Sequence, residues 1–259
     1  MAARTSIAWC THSWNPWWGC TRIGPGCDNC YAAAFDHRIG GDHWGTGQAR
    51  RYFGDHHWAE PVRWNRAAER SGARPLVFCA SMADVFDNEV DQHHRDRLWR
   101  LIRDTPRLVW QIVSKRVQNA PKMLPADWDG GYPNVWLLAT VVNQDEADRD
   151  IPKLLAVPAA VHGLSVEPQL GPIDITRYAR GADWVIAGGE SGSKARPFDI
   201  AWARSLRDQC AAAGSAFFMK QAGSRPVGFG RLTGKGEDPG QWPEDIRVRN
   251  YPIARGSGG

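Results

Sequence analysis

The sequence has no run of about 18 apolar residues, so it offers no membrane-spanning helix. Met1–Trp9 lack an apolar core of signal-peptide length, and a cytoplasmic protein is expected. No internal repeat recurs at a fixed period, and no segment is of low complexity apart from the tail, Arg255–Gly259. The expectation is one domain over 1–252, followed by a flexible tail at 253–259. Charge of either sign is scarcely in excess: 32 Lys and Arg stand against 28 Asp and Glu, for a net charge of +4. That balance permits a phosphate-bearing partner without demanding one. Six cysteines are present, but no second C-x2-C pair and no second cysteine triad. In a reducing compartment such cysteines are expected to be thiols or metal ligands rather than disulfides.

What is present is an ordinary globular composition, 42% hydrophobic and 23% charged, with 14 tryptophans. Short apolar runs alternate with helical stretches. Strands are expected at Leu76–Ala80, Leu108–Val113, Val135–Val141, Val161–Val166, Trp184–Ala187 and Ala216–Met219, with a first strand near Ser6–Thr11. Helices are expected at Cys30–Arg38, Glu60–Arg70, Val90–Asp104, Gln144–Leu155 and Ala201–Ala213. Continuous apolar strands suit a parallel sheet buried on both faces, and the β–α alternation argues for βαβ units. The fold class is therefore α/β, a partial, open TIM-like barrel of about six or seven parallel strands, with a doubly wound sheet as the alternative. Gly40–Trp58 and Gly223–Pro252 show no strand or helix period and are expected to be loop insertions that cover a substrate. Trp9, Trp14, Trp17 and Trp18 lead up to the first cysteine of the triad, and shielding of that cysteine from water is their expected role.

The sharpest feature is Cys20-Thr-Arg-Ile-Gly-Pro-Gly-Cys27-Asp-Asn-Cys30, a C-x6-C-x2-C spacing. Three thiolates on a loop with Gly24, Pro25 and Gly26 can wrap one metal centre. On a 4Fe–4S cluster, three protein ligands leave one iron open, and an open position is how a metal centre takes a substrate. That iron can chelate the amino and carboxylate groups of S-adenosylmethionine (SAM), and one electron then yields a hydrogen-abstracting deoxyadenosyl radical. The competing reading is a zinc knuckle completed by His12, Cys10 or His37. Cys79 and Cys210 are expected to be small buried hydrophobes.

Ligands of parallel α/β folds bind at the carboxyl ends of the strands. Polar residues recur there: Ser81 and Asp84, Lys115, Asn143, Glu167, Glu190, and Lys220. Together they supply carboxylates for an ammonium, Lys for a carboxylate and an amide for ribose hydroxyls, with Asp84 better placed for the ammonium than Glu190. Gly188-Gly189 allows a close backbone approach.

Several of these pieces occur together in one family. Trp14-Asn15-Pro16-x-x-Gly19-Cys20-Thr21, Gly26-Cys27-x-x-Cys30-Tyr31, Ser81-Met82-x-Asp84-x-Phe86, Ser165-x-Glu167-Pro168, Gly188-Gly189-Glu190-Ser191-Gly192, Arg196-Pro197 and Phe218-x-Lys220-Gln221-x-Gly223 resemble the phage-associated, three-Cys-motif radical SAM-like proteins. The resemblance spans residues 14 to 223. It implies a radical SAM-like barrel with one 4Fe–4S cluster on Cys20, Cys27 and Cys30, with SAM as cosubstrate. The x6 loop is longer than the usual C-x3-C-x2-C, and Asn29 stands where an aromatic residue is common. Tyr31 is then the expected adenine contact. A nucleotide, nucleoside or nucleic-acid substrate and an external electron donor such as flavodoxin or ferredoxin complete the expectation. The alternative is a zinc-stabilised nucleic-acid-binding module without catalysis.

Overall fold

A computed structural model describes residues 5–253. Of the expected tail, all but Ile253 lies outside the described residues. Seven strands form the main sheet: β1 His12–Trp14, β2 Leu76–Cys79, β3 Val109–Ser114, β4 Val135–Thr140, β5 Val161–Val166, β6 Trp184–Gly188 and β7 Ala216–Gln221. Their order across the sheet is their order in the chain, and the β1–β2, β2–β3, β5–β6 and β6–β7 pairings are parallel. A doubly wound sheet reverses its strand order at a switch point, whereas a barrel advances one way only. The strictly sequential order decides for the partial, open barrel class.

Five helices longer than one or two turns accompany the strands: α1 Tyr31–Arg38, α2 Asp55–Ser71, α3 Gln92–Arg103, α4 Gln144–Leu155 and α5 Ile200–Ala213. Each of the longer helices after α2 buries one stripe. In α4 the stripe is Ala147, Ile151 and Leu154, and in α5 it is Ala203, Leu206 and Cys210, both at helical spacing. Among the described residues, no helix is long and apolar enough to cross a membrane.

The chain divides into two compact units. One runs up to Ile23 and takes Cys30–Leu137 and Val157–Ala160; the other takes Gly24–Asn29, Leu138–Ala156 and the chain from Val161 on. In the first, Trp14 of β1 meets Trp58 of α2 and Trp110 of β3 edge-on, at 5.1 and 5.8 Å. Trp9 packs on Phe78 at 4.6 Å, and Trp18 packs edge-on against Phe35 and Phe53. Trp9, Trp14 and Trp17 are buried, and Trp14 ties β1 to its neighbours. In the second, Cys210 is fully buried, and burial pushes its thiol up to about 12. Cys79, in the first unit, is also fully buried, and burial pushes its thiol up.

Three expectations need correction. The first strand is His12–Trp14 rather than Ser6–Thr11, because the hydrogen-bonding register with Val77–Cys79 begins only at His12. The Gly40–Trp58 stretch is not loop throughout. Arg51–Tyr52 pairs antiparallel with Trp17–Trp18, and α2 begins at Asp55. Part of Gly223–Pro252 serves as an edge cover: Met219 N–H donates to Val248 O at 2.8 Å and Asn250 N–H to Phe217 O at 2.9 Å. That pairing occupies the outer edge of β7, which would otherwise stay open to a foreign strand.

Candidate functional site

In the first unit, the chain leaves the carboxyl end of β1 and turns through Gly19 into Cys20. Gly19 N–H donates to Met82 O, and Gly19 pairs with Ala83 just beyond β2. Gly19 has φ +112°, and a side chain there would come within 2.3 Å of His43 O, so only glycine lets the chain pass into Cys20.

Two buried ion pairs hold Cys20 and its neighbour Thr21. Arg116, two residues past β3, donates from Nη1 to the Cys20 sulfur at 3.2 Å and from Nη2 to Thr21 O. Its charge is met by Asp84 at 3.3 Å. The second pair is Arg50 with Asp87, at 2.8 Å. From Arg50, Nη1 reaches the carbonyls of His43, Gly45 and Gln48, while Nη2 reaches Thr21 Oγ1 at 2.8 Å. Gly45 N–H in turn donates to Cys20 O at 2.9 Å. The 43–50 stretch is therefore a wall pinned against Cys20 and Thr21. Burial first, and then the negative charge of Asp84, push the free Cys20 thiol up to about 12, with Arg116 pulling the other way.

Asp84 does not present free oxygens. It accepts from Phe86 N–H at 3.0 Å, Ser114 Oγ–H at 2.6 Å, Lys115 N–H at 3.0 Å and Arg116. Four donors fill its acceptor sites, so it positions Arg116 and the end of β3. Ser81 is similarly engaged: its hydroxyl lies 2.8 Å from Ser13 Oγ and 3.2 Å from Asn15 Nδ2. The Tyr31 hydroxyl donates to Ser81 O at 2.7 Å, leaving the ring largely exposed at the start of α1. Lys115 is half-buried, and among the described residues its ammonium has no ion-pair partner.

In the second unit, the Gly24–Asn29 loop carries Cys27 on a short 3-10 turn, Pro25–Cys27. It is clamped by Arg196. That guanidinium reaches Pro25 O at 3.0 Å, Asp28 at 3.2 Å and both oxygens of Glu190. Glu190 also accepts from Arg196 N–H at 2.9 Å and from Asn29 Nδ2 at 3.0 Å. Burial works against the charge on Glu190. The bonds from Arg196 and Asn29 outweigh it and hold the carboxyl below its usual range. Glu190 is thus a brace for the cysteine loop, as its position just after Gly188-Gly189 allows.

That Gly-Gly pair is approached by protein rather than left open for a ligand: a side chain on Gly189 would lie 2.3 Å from Ala222 O. Glu167 and Lys220 form an ion pair at 2.9 Å, and Ser165 Oγ lies 3.4 Å from Glu167. Asn143 is the N-cap of α4. Its Oδ1 accepts from Glu146 N–H at 2.9 Å, while Glu146 Oε2 accepts from Val142 N–H at 3.1 Å. This N-cap occupies the amide oxygen of Asn143, the residue whose position suggested a contact with ribose hydroxyls.

The structure thus joins Cys20 to Asp84 and Tyr31 to Ser81 in one unit, and Glu167 to Lys220 in the other, where Glu190 reaches the cysteine loop. Sequence reasoning missed the roles of Arg50, Asp87, Asn29, Arg116 and Arg196. Arg116 and Arg196 were visible beside a strand end and in an Arg-Pro motif, but their partners lie 96 and 168 residues away.

Solved structures of spore photoproduct lyase share this fold. One mutant aligns with a TM-score of 0.52 at 11% identity, over 85% of this chain and 79% of that one. A second mutant, solved with dinucleoside spore photoproduct, aligns with a TM-score of 0.52 at 12% identity and the same coverage. At that identity the likeness is one of fold alone. No curated protein sequence matches. The sequence profile of a family described as "Protein of unknown function (DUF5131)" matches residues 4–238, and the chain belongs to that family.

Proposed function

We propose that this chain is a radical SAM enzyme that holds one 4Fe–4S cluster on Cys20, Cys27 and Cys30. The observation that carries the reading is the place of the triad: its loop leaves the carboxyl end of the first strand of a sequential parallel sheet, in a chain with the fold of spore photoproduct lyase. The donor set fits the group. Three sulfurs lie within eleven residues, and a buried guanidinium faces one of them, which suits a thiolate that keeps part of its negative charge.

When bound, such a cluster supplies the electron that cleaves SAM and starts hydrogen abstraction. The chain's own residues do the holding. Arg196 and Glu190 fix the Cys27 loop, and Arg50 fixes the wall beside Cys20. The Lys115 ammonium, without an ion-pair partner among the described residues, is available for the SAM carboxylate, and Tyr31 for adenine. The two candidate zinc ligands before the triad are badly placed. Thr11 N–H bonds Leu76 O at the amino end of β2, while Gly19 pairs beyond its carboxyl end, so Cys10 and Cys20 lie past opposite ends of a strand roughly 10 Å long. The His12 ring stacks on Trp64 at 4.2 Å.

The substrate in this reading is a nucleotide, nucleoside or nucleic acid, supported by the dinucleoside held by the lyase of like fold and by a net charge of +4. A flavodoxin or ferredoxin in the cytoplasm would supply the electron.

The test is anaerobic reconstitution of the wild type and the Cys20→Ala, Cys27→Ala, Cys30→Ala and Cys10→Ala variants, with iron, sulfide, zinc and 5′-deoxyadenosine counted. The expected result is about four irons and four sulfides per wild-type chain, lost in each triad variant and kept in Cys10→Ala. Zinc without sulfide in the wild type, or metal lost with Cys10, would return the zinc module.

A further inference from the structure

We propose that Arg116 sets the reduction potential of the cluster, acting as a charged hydrogen-bond donor to the Cys20 sulfur. The inference rests on the cluster reading above. Its basis is geometric. Nη1 of Arg116 lies 3.2 Å from the Cys20 sulfur, and the same guanidinium is anchored by Asp84 and by Thr21 O. Arg116 is only 3% exposed, so water screens it little. Among the described residues, no comparable donor reaches the sulfur of Cys27 or Cys30. The contact is therefore asymmetric, on one ligand of three.

Reduction adds one electron to the cluster from a low-potential donor and makes its net charge more negative by one. Charge near the sulfurs, hydrogen bonds to them and burial set the energy of that step. A buried guanidinium stabilises the reduced state more than the oxidised one, because the added charge is attracted to it. Removing it lowers the potential. Asp84 acts in the opposite sense: it offsets Arg116 with a buried negative charge, and the carboxylate itself opposes the added electron. The other charged pair beside Cys20, Arg50 with Asp87, stays in place in either variant.

Two rival roles follow from the same contacts. If Arg116 merely props the Cys20 loop, then losing Arg116 or losing Asp84, its anchor, should harm the site in the same direction. If it tunes the cluster electrostatically, the two losses should shift the potential in opposite directions. An Asp84→Asn variant keeps one oxygen for Phe86 N–H and Ser114, while its NH2 replaces the oxygen that accepts from Lys115 N–H and Arg116, so that change removes the charge and the Arg116 anchor with little change of size.

The measurement is an anaerobic redox titration of the reconstituted protein, read by electron paramagnetic resonance of the reduced cluster, with iron and sulfide counted in each sample. At the poise where half of the wild type is reduced, Arg116→Gln is expected to show a reduced-to-oxidised ratio lower by roughly tenfold, equivalent to about 59 mV for one electron. Arg116→Lys keeps the charge and should fall less. Asp84→Asn should raise the ratio. Should Arg116→Gln hold no cluster, Arg116→Lys and Asp84→Asn still carry the comparison of signs. Full iron with an unchanged potential in the Arg116 variants, or a shift of the same sign in the Arg116 and Asp84 variants, overturns the proposal. A wild type that takes up no iron and sulfide overturns the cluster reading and this inference with it.

Discussion

Cys20 and Cys27 sit in surroundings of opposite kinds. Around Cys20, two arginines and two aspartates are paired in the interior, with the Arg50 and Asp87 side chains essentially inaccessible to water. Around Cys27, one arginine does the holding, and its side chain is 27% exposed. Buried pairs are costly to form, and costly to break because the surviving charge cannot reach water. A half-exposed clamp costs less in both respects. The first arrangement fixes a position, and the second keeps a loop in place while leaving it within reach of solvent. On the cluster reading proposed above, that difference gives the Cys20 sulfur a fixed place and leaves the Cys27 loop nearer solvent.

The strongest way to break the comparison is Asp87→Ala. It leaves the Arg50 guanidinium buried, with only carbonyl and hydroxyl acceptors. Losing one partner of a buried pair typically costs about 3–5 kcal/mol. Urea unfolding should show a loss of that size, together with faster proteolysis near residues 43–50. A loss under about 1 kcal/mol would mean that water reaches Arg50 and that the two sides are alike.

Glu190→Gln should cost less, about 1–2 kcal/mol, since one charge-assisted set of bonds becomes neutral on a partly exposed partner. Its pH dependence sharpens the contrast. The folded Glu190 carboxyl is held below its ordinary value of 4.5. Its stabilising contribution is therefore complete above that value and is lost as pH falls through the lower folded one. Wild type and Glu190→Gln should differ most at pH 7 and converge in acid, as read from urea midpoints at both pH values. A gap that stays constant with pH would remove the ionised clamp from the account.

How much of this was legible beforehand depends on range. β5 and α4 match the expected bounds residue for residue, because Val161–Val166 is a clean apolar run and Gln144–Leu155 carries a cap, a period and a polar flank. The first strand was not legible. His12-Ser13-Trp14 is three residues long with no apolar run, and its existence depends on pairing with a strand more than sixty residues later. α2 begins with Asp55-His56-His57, which carries no apolar signal and hides its first turn within a glycine- and histidine-rich stretch. The cysteine spacing can be read from sequence because its information is local, and the cluster it suggests remains the proposal made above. The fate of Asp84 was illegible: its place after β2 could be read, but not the four donors that occupy it, of which two come from beyond β3.

The smallest expected effect separates a cap from a ligand contact at Asn143. Position alone puts this amide after β4, where a ribose hydroxyl could meet it. The structure spends its oxygen on Glu146 N–H and returns the favour through Glu146 to Val142 N–H. Replacing an N-cap by alanine costs about 1 kcal/mol. Asn143→Ala should therefore lose that much in urea unfolding, and its affinity for SAM should stay within twofold of wild type. Asn143→Ser supplies the decisive arm. Serine caps nearly as well as asparagine, so stability should return, although its short hydroxyl could not reproduce an amide's contact with ribose. The cap reading therefore predicts a stable Ser variant with unchanged SAM binding. A Ser variant that is stable yet binds SAM tenfold more weakly would give Asn143 back to the ligand.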